Sequence, residues 1–166
     1  MRHVEEELRA FVAARYPHLR RTAYLLCGDW HRADDLVQAA LARVVVAARR
    51  RTVDNLDAYA RTTLLRAFLN DNQRLWRRRE VSTAQTWEVA DAPRDPSVAV
   101  TVLAALRALP PRQRAVVVLR YWEDRSVEET AAALDINTGT VKSQCAKALA
   151  TLRHTLAELR PELTTS

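Results

Sequence analysis

Residues Ser126 to Arg153, SVEETAAALDINTGTVKSQCAKALATLR, hold two helical patterns separated by a break of three to four residues, and the second pattern is basic along its polar side. This is the arrangement of a helix-turn-helix. Ser126 can cap the first helix while Glu129 reaches back to the cap nitrogen, and Glu128 and Glu129 sit at the positive end of the helix dipole. Leu134-Asp135-Ile136-Asn137 then breaks the period, with Asp135 tolerating the left-handed conformation that a tight inter-helix turn requires. Asn137 or Thr138 caps the second helix. In it Val141, Cys145, Ala148, Leu149, Leu152, Leu156 and Leu159 recur at three- and four-residue steps and predict one buried stripe. The other face offers Thr140, Lys142, Ser143, Gln144 and Lys147, cations for phosphates beside amide and hydroxyl groups for base edges. Gly139 and Thr140 add small residues in the first turn, where a helix end can approach a phosphate. The plain alternative is an amphipathic helical hairpin with a solvated face.

The remainder of the 166-residue chain also reads as helical. It has 48% hydrophobic and 28% charged residues and only two glycines, and strand-like alternation is nearly absent, so the expected fold class is all-α. The net charge of +6 points to a polyanionic partner, either nucleic acid or an acidic membrane surface. Sixteen of the 26 Lys plus Arg lie in residues 1–80, so the basic weight is in the first half. No apolar run approaches the roughly 20 residues that span a bilayer, and Met-Arg-His-Val-Glu-Glu-Glu lacks a secretory hydrophobic core, so a cytosolic protein is expected. Cys27 and Cys145 are far apart and not in a CxxC spacing, which predicts small buried residues rather than a metal or redox pair. A Gly-rich phosphate loop and an HExxH pattern are lacking, and His3, His18, His31 and His154 are scattered. Neither a catalytic site nor a cofactor is expected.

Two helical blocks flank VSTAQTWEVADAPRDPS at Val81 to Ser97, where Pro93, Pro96 and polar residues break any period and predict a flexible linker. The expected division is a domain over 1–80, a linker over 81–97, a second domain over 98–160 and a tail over 161–166. Within the first block, Leu8 to Leu26 reads as a helical region interrupted near Pro17. Asp34 to Ala48 reads as a second helix burying Leu36, Val37, Ala40, Leu41, Val44, Val45 and Ala48. After a turn at Arg51 to Leu56, a third runs to Arg79 with Tyr59, Leu64, Phe68, Leu75 and Trp76 as its large apolar positions. Arg74, Arg77, Arg78 and Arg79 end it. Such a run is usually a solvated face, but arginines interleaved with aromatic residues suit distorted or single-stranded DNA, where bases stack on rings. In the second block, Val98 to Leu109 is a helix stopped by Pro110-Pro111, and 112–122 makes another.

These features together resemble the two-domain extracytoplasmic-function sigma factors of bacterial RNA polymerase, in the sigma-70 family, and most of all the actinobacterial SigE-like subset. The resemblance runs from about Leu8 to Leu156. It is carried by ALPPRQRAVVVLRYW at 108–122, SVEETA at 126–131, TGTVKS at 138–143 and ADDLVQ at 33–38. It implies that the first block grips the clamp helices of the polymerase largest subunit through Asp34, Asp35, Leu36, Gln38, Leu41 and Arg43. On the residues alone, Asp34 and Asp35 are simply good first-turn helix residues. It implies minus ten element contacts from Arg51, Asn55, Tyr59, Arg66, Asn70, Arg74, Trp76, Arg77 and Arg78, holding flipped bases of the opened strand. The second block would bind the flap of the second-largest subunit. It would also insert the helix from Thr138 into the major groove at the minus thirty-five element, with Thr138, Thr140, Lys142, Ser143, Gln144 and Lys147 facing DNA and Arg112 and Arg114 on phosphates. Family membership also admits an anti-sigma factor as partner, although no residue pattern shows one.

The chain departs from the family pattern at Asp135, where a turn glycine is common, at Gln144, where arginine often follows Lys-Ser, at Arg66, near where an Asn is expected, and at Ala39, often Glu. The first three bear on the promoter sequence and Ala39 on one polymerase contact, rather than on the fold. The competing reading is a free-standing helix-turn-helix regulator, which has no need of ADDLVQ or of the arginine-rich helix. A membrane-surface protein would require a strongly apolar face opposite Arg74 to Arg79, and Asn70, Asp71, Asn72 and Gln73 argue against it.

Overall fold

A computed structural model describes residues 2–81 and 98–159, with side chains described as far as Arg74 in the first stretch. The chain divides into two compact units, Met1–Phe68 and Leu69–Ser166.

The first unit is built from α1 (Arg2–Cys27), α2 (Trp30–Arg50) and the first half of α3 (Leu56–Val81). Leu8, Leu19, Ala23 and Leu26 of α1, Ala33, Leu36, Val37, Ala40, Leu41 and Val44 of α2, and Ala60, Leu64, Leu65 and Phe68 of α3 are its buried apolar side chains. The helix α1 runs unbroken through Pro17, where the sequence predicts an interruption. Proline removes one ladder bond and crowds the preceding turn, at about 3 kcal/mol. Pro17 and Ala13, however, lie on the exposed side, where water can serve the orphaned carbonyl, and the helix buries apolar residues on both sides of the proline. Helix α2 starts earlier than its apolar stripe indicates. Asp29 caps it, its Oδ1 accepting from His31 N at 2.8 Å and Arg32 N at 3.1 Å, so Asp34 and Asp35 fall beyond the first turn. Polar ties join the helices at their edges: Arg49 donates twice to the Glu5 carboxylate at 2.9 and 3.1 Å. Asp57 takes Arg15 from α1 at 2.7 Å and Arg61 from its own helix at 3.3 Å.

In the second unit α7 (Thr138–Leu159) packs against α4 (Val98–Arg107), α5 (Pro111–Val117) and α6 (Val127–Leu134). The capping box at Ser126 is complete, with Glu129 N to Ser126 Oγ at 3.0 Å and Ser126 N to Glu129 Oε1 at 3.1 Å. Asp135 takes φ 55° at the turn, and Asn137 is the cap of α7, its Oδ1 accepting from Thr140 N at 2.7 Å. Val116, Ala131 and Val141 form the centre of the helix-turn-helix, with Val127, Leu134, Ile136 and Cys145 around them. The predicted stripe of α7 is buried at Val141 and Ala148, half-buried at Cys145, Leu149, Leu152 and Leu156, and ends at Leu159, which is exposed. Helix α5 does not continue as a plain α-helix to 122. It widens into a π-turn over Val118–Trp122, closed by Glu123 N to Val118 O at 2.9 Å. Val118 and Leu119 stay inside while Tyr121 and Trp122 are turned outward.

The left-handed backbone at Asp135 has a measurable consequence. A non-glycine residue there costs about 1–2 kcal/mol, less for Asp, and glycine returns part of the gain as unfolded-chain entropy. Asp135→Gly therefore stabilises the second unit by about 0.5 kcal/mol, raising its thermal midpoint by about 2–4 °C.

Candidate nucleic-acid interface

The polar face of α7 presents Thr138, Lys142, Ser143 and Lys147 to solvent, with Gln144 half-buried. Small residues, Gly139, Ala146 and Ala150, lie between them on the exposed side, so a nucleic-acid backbone meets no bulky side chain there. Thr140 plays a different part from the one expected. Its hydroxyl donates to Asn137 Oδ1 at 2.9 Å, which occupies its proton in the cap and leaves only acceptor capacity. The exposed face runs on through Arg153 and His154, beyond the positions expected to meet DNA.

Of the two arginines expected on phosphates, Arg112 is exposed and Arg114 is committed elsewhere. Arg114 Nε donates to Leu106 O at 2.9 Å, and its Nη2 donates to Arg107 O at 3.1 Å and Leu109 O at 2.9 Å. Leu106 and Arg107 lie in the last turn of α4 and Leu109 just after it, where Pro110 and Pro111 stop the helix and supply no N–H four residues on. Arg114 is thus a cation at a helix C-terminus, in the place of the dipole's negative end, and the expected phosphate contact passes to Arg112.

On α2 the outward stripe is Asp35, Gln38, Ala39, Ala42 and Val46, with Arg43 beside it. Leu36 and Leu41 are 5% and 7% exposed, so they serve the core and offer a partner little surface. Asp34 is also engaged within the unit. Its Oδ1 accepts from Arg20 Nε at 2.7 Å and from the Tyr16 hydroxyl at 3.0 Å, and the bond from Arg20 leads in holding its carboxyl below the usual range. Asp35 and Gln38 remain exposed.

Along the C-terminal turns of α2 the structure brings together residues that the sequence leaves apart. Ala42, Arg43, Val46, Ala47, Arg50, Arg51 and Tyr59 line an open groove of about 460 Å³, with the Arg51 guanidinium 5.8 Å from the centre of the Tyr59 ring. A tyrosine ring, small apolar side chains and three arginines are the residue types that suit an unstacked base with its phosphates. Asn55 is a helix cap, its Oδ1 accepting from Ala58 N at 2.9 Å. Arg66, Asn70 and Arg74 recur every fourth residue along α3 and all are exposed. The side chains of Trp76, Arg77 and Arg78 lie outside the described residues.

Two family models account for both blocks. Sigma-70 region 2 matches residues 11–79 and sigma-70 region 4 matches residues 99–152. The RNA polymerase sigma-E factor of Streptomyces coelicolor is 39% identical over 158 residues, covering 90% of this chain and 86% of that protein. The chain belongs to the sigma-70 family of RNA polymerase sigma factors. A sigma factor binds core RNA polymerase and directs it to promoters to start transcription, with no catalysis of its own. The ECF sigma factor SigM of Mycobacterium tuberculosis is a further relative, 35% identical over 145 residues, 85% of this chain and 72% of that protein. A solved structure of the sigma factor RpoE from Bartonella quintana, in complex with the anti-sigma factor NepR, superimposes with a TM-score of 0.73. It is 24% identical over 91% of this chain and 97% of that chain, and the likeness shows the shared helical fold. The region 2 match over the first block answers the competing reading, since a free-standing helix-turn-helix regulator has no use for it. Among the described residues no helix of this sigma factor is long and apolar enough to cross a membrane.

Proposed function

We propose that this sigma factor divides its work between a region 2 domain over residues 1–80 and a region 4 domain over 98–160, joined by 81–97. The outward stripe of α2, with Asp35, Gln38 and Arg43, grips the clamp helices of the polymerase largest subunit. The groove at Tyr59 and the exposed line Arg66, Asn70 and Arg74 hold the opened strand of the minus ten element. The second domain binds the flap of the second-largest subunit and sets α7 in the major groove of the minus thirty-five element, with Lys142, Ser143, Gln144 and Lys147 toward the bases and Arg112 on a phosphate. An anti-sigma factor covers the polymerase-binding surfaces until a signal releases them, and the protein works in the cytoplasm. The observation that carries this reading is the pairing, in one chain, of an exposed basic recognition helix with a separate basic aromatic groove.

Each half reads only a short stretch of DNA, so the free protein binds promoter duplex weakly. Core polymerase sets the two domains at the spacing of the two elements, and the second contact becomes effectively intramolecular. A gel-shift titration with and without core polymerase tests this: sequence-specific retention is expected only with polymerase present. Nanomolar, sequence-specific binding by the protein alone contradicts it. Within that assay Lys142→Ala weakens binding of the polymerase complex to the minus thirty-five sequence by about tenfold, in the range of a lost base contact. A uniform loss on all sequences, with the salt slope reduced by about one, would instead place Lys142 on a phosphate.

A further inference from the structure

The first turn of α7 fixes the place of one proton. Thr140 N and Thr140 Oγ1 both meet the side-chain oxygen of Asn137, at 2.7 and 2.9 Å. A backbone N–H only donates, so the end of the Asn137 amide that it meets is the oxygen, and an amide oxygen only accepts. The Thr140 hydroxyl is therefore the donor in the second bond. Its proton stays inside the cap and its lone pairs are left for other partners. The bond also holds Thr140 in one rotamer, since turning about χ1 breaks it. Gly139 leaves the oxygen its room, because a Cβ on residue 139 would stand 3.3 Å from it.

Thr140 begins a line with Ser143, Gln144 and Lys147, at helical steps that put all four on one side of α7. In a helix-turn-helix the N-terminal residues of the second helix are the ones that meet base edges. On the major-groove edge adenine N6 and cytosine N4 carry donor amino groups, which guanine and thymine lack there. An unconstrained threonine hydroxyl serves donors and acceptors alike. The Thr140 hydroxyl does not: accepting from an amino group breaks no bond, whereas donating to a guanine or thymine oxygen, or to a phosphate, breaks the bond to Asn137. We propose that Thr140 is a specificity-determining residue of minus thirty-five recognition, accepting from the exocyclic amino group of an adenine or cytosine, and that Asn137 is the positioning residue that makes it an acceptor. This rests on the placement of α7 in the major groove of that element.

A promoter library with the minus thirty-five element randomised tests it, bound by the complex of core polymerase with the full chain and sequenced before and after selection. The chains compared are the wild type, Thr140→Val, Asn137→Gly and Asn137→Asp. Thermal unfolding of each checks the fold, glycine being tolerated at a helix cap. The wild type is expected to favour A or C over G or T about fivefold at one position of one strand, the size of one hydrogen bond. Thr140→Val deletes the acceptor and lowers that preference below about twofold, at that position alone. Asn137→Gly frees the hydroxyl to donate, and the preference falls because G and T are now bound better, a change that mere weakening of the cap does not produce. Asn137→Asp keeps a cap oxygen and keeps the preference. If Thr140→Val alters no position while Lys142→Ala does, or if the position that Thr140→Val alters favours G or T, the role of Thr140 is overturned and the placement of α7 stands. If Thr140→Val removes the preference and Asn137→Gly leaves it intact, the positioning role of Asn137 is overturned. If neither Thr140→Val nor Lys142→Ala, Ser143→Ala or Gln144→Ala alters any position, the placement of α7 falls and this role falls with it.

Discussion

Asp35→Arg abolishes co-elution of the sigma factor with core RNA polymerase in gel filtration, while its thermal midpoint stays close to that of the wild type. Asp35 is exposed on α2, away from the Asp34 network, so reversing its charge disturbs no bond within the unit. A carboxylate desolvated against a cationic partner is worth about 2–5 kcal/mol when its partner is truncated, and a reversal adds repulsion to that loss. Affinity should fall by at least about 100-fold. Asp34→Asn is the informative neighbour, because Asp34 acts inside the unit through Arg20 and Tyr16. Leu36→Ala is a poor probe of the interface: Leu36 is 5% exposed, and truncating a buried leucine costs about 2–5 kcal/mol of folding stability.

Arg114→Ala is expected to destabilise the second unit by about 2–3 kcal/mol, read as a fall in its thermal or denaturant midpoint. Removing the side chain leaves the carbonyls of Leu106, Arg107 and Leu109 without their charged donor. Hydrogen bonds from a charged group contribute about 1.5–3 kcal/mol. Arg112→Ala should leave the midpoint within about 0.5 kcal/mol, yet weaken DNA binding of the polymerase complex and lower its salt slope by about one. The two arginines stand two residues apart, and the pair of measurements separates a helix cap from a phosphate contact.

That contrast shows where sequence reasoning reaches its limit. The helix-turn-helix was legible because its determinants are local. Ser126 and Glu129 form their box three residues apart, Asp135 takes the left-handed turn in place, and the three- and four-residue period selects Val141 and Ala148 for the core. The period also placed Leu36 and Leu41 on the buried side of α2, whereas family resemblance carried them to the polymerase. Burial sides with the period, and the outward apolar positions are Ala39, Ala42 and Val46, too small to stand out in a sequence. The partners of Asp34 could not be read from the sequence because they lie 14 and 18 residues away, across a helical hairpin whose register is a tertiary property. The groove at Tyr59 has the same origin, with α2 supplying one wall and α3 the ring. Arg114 looked like one more cation in a basic protein, and only the folded turn at Pro110 and Pro111, which brings the carbonyls of Leu106, Arg107 and Leu109 to its guanidinium, gives it a different task.

The central claim is that this chain, added to core polymerase, creates promoter recognition that neither possesses alone. The most direct measurement is transcription in vitro from fragmented genomic DNA of the source organism, using its sigma-free core polymerase with and without the protein, with the 5′ ends of the transcripts mapped. Discrete start sites should appear only when the protein is present, share two upstream sequence elements at a fixed spacing, and vanish with Asp35→Arg. An unchanged set of start sites, together with tight binding of the protein alone to specific duplexes, would contradict the account and return the helix-turn-helix to a free-standing regulator.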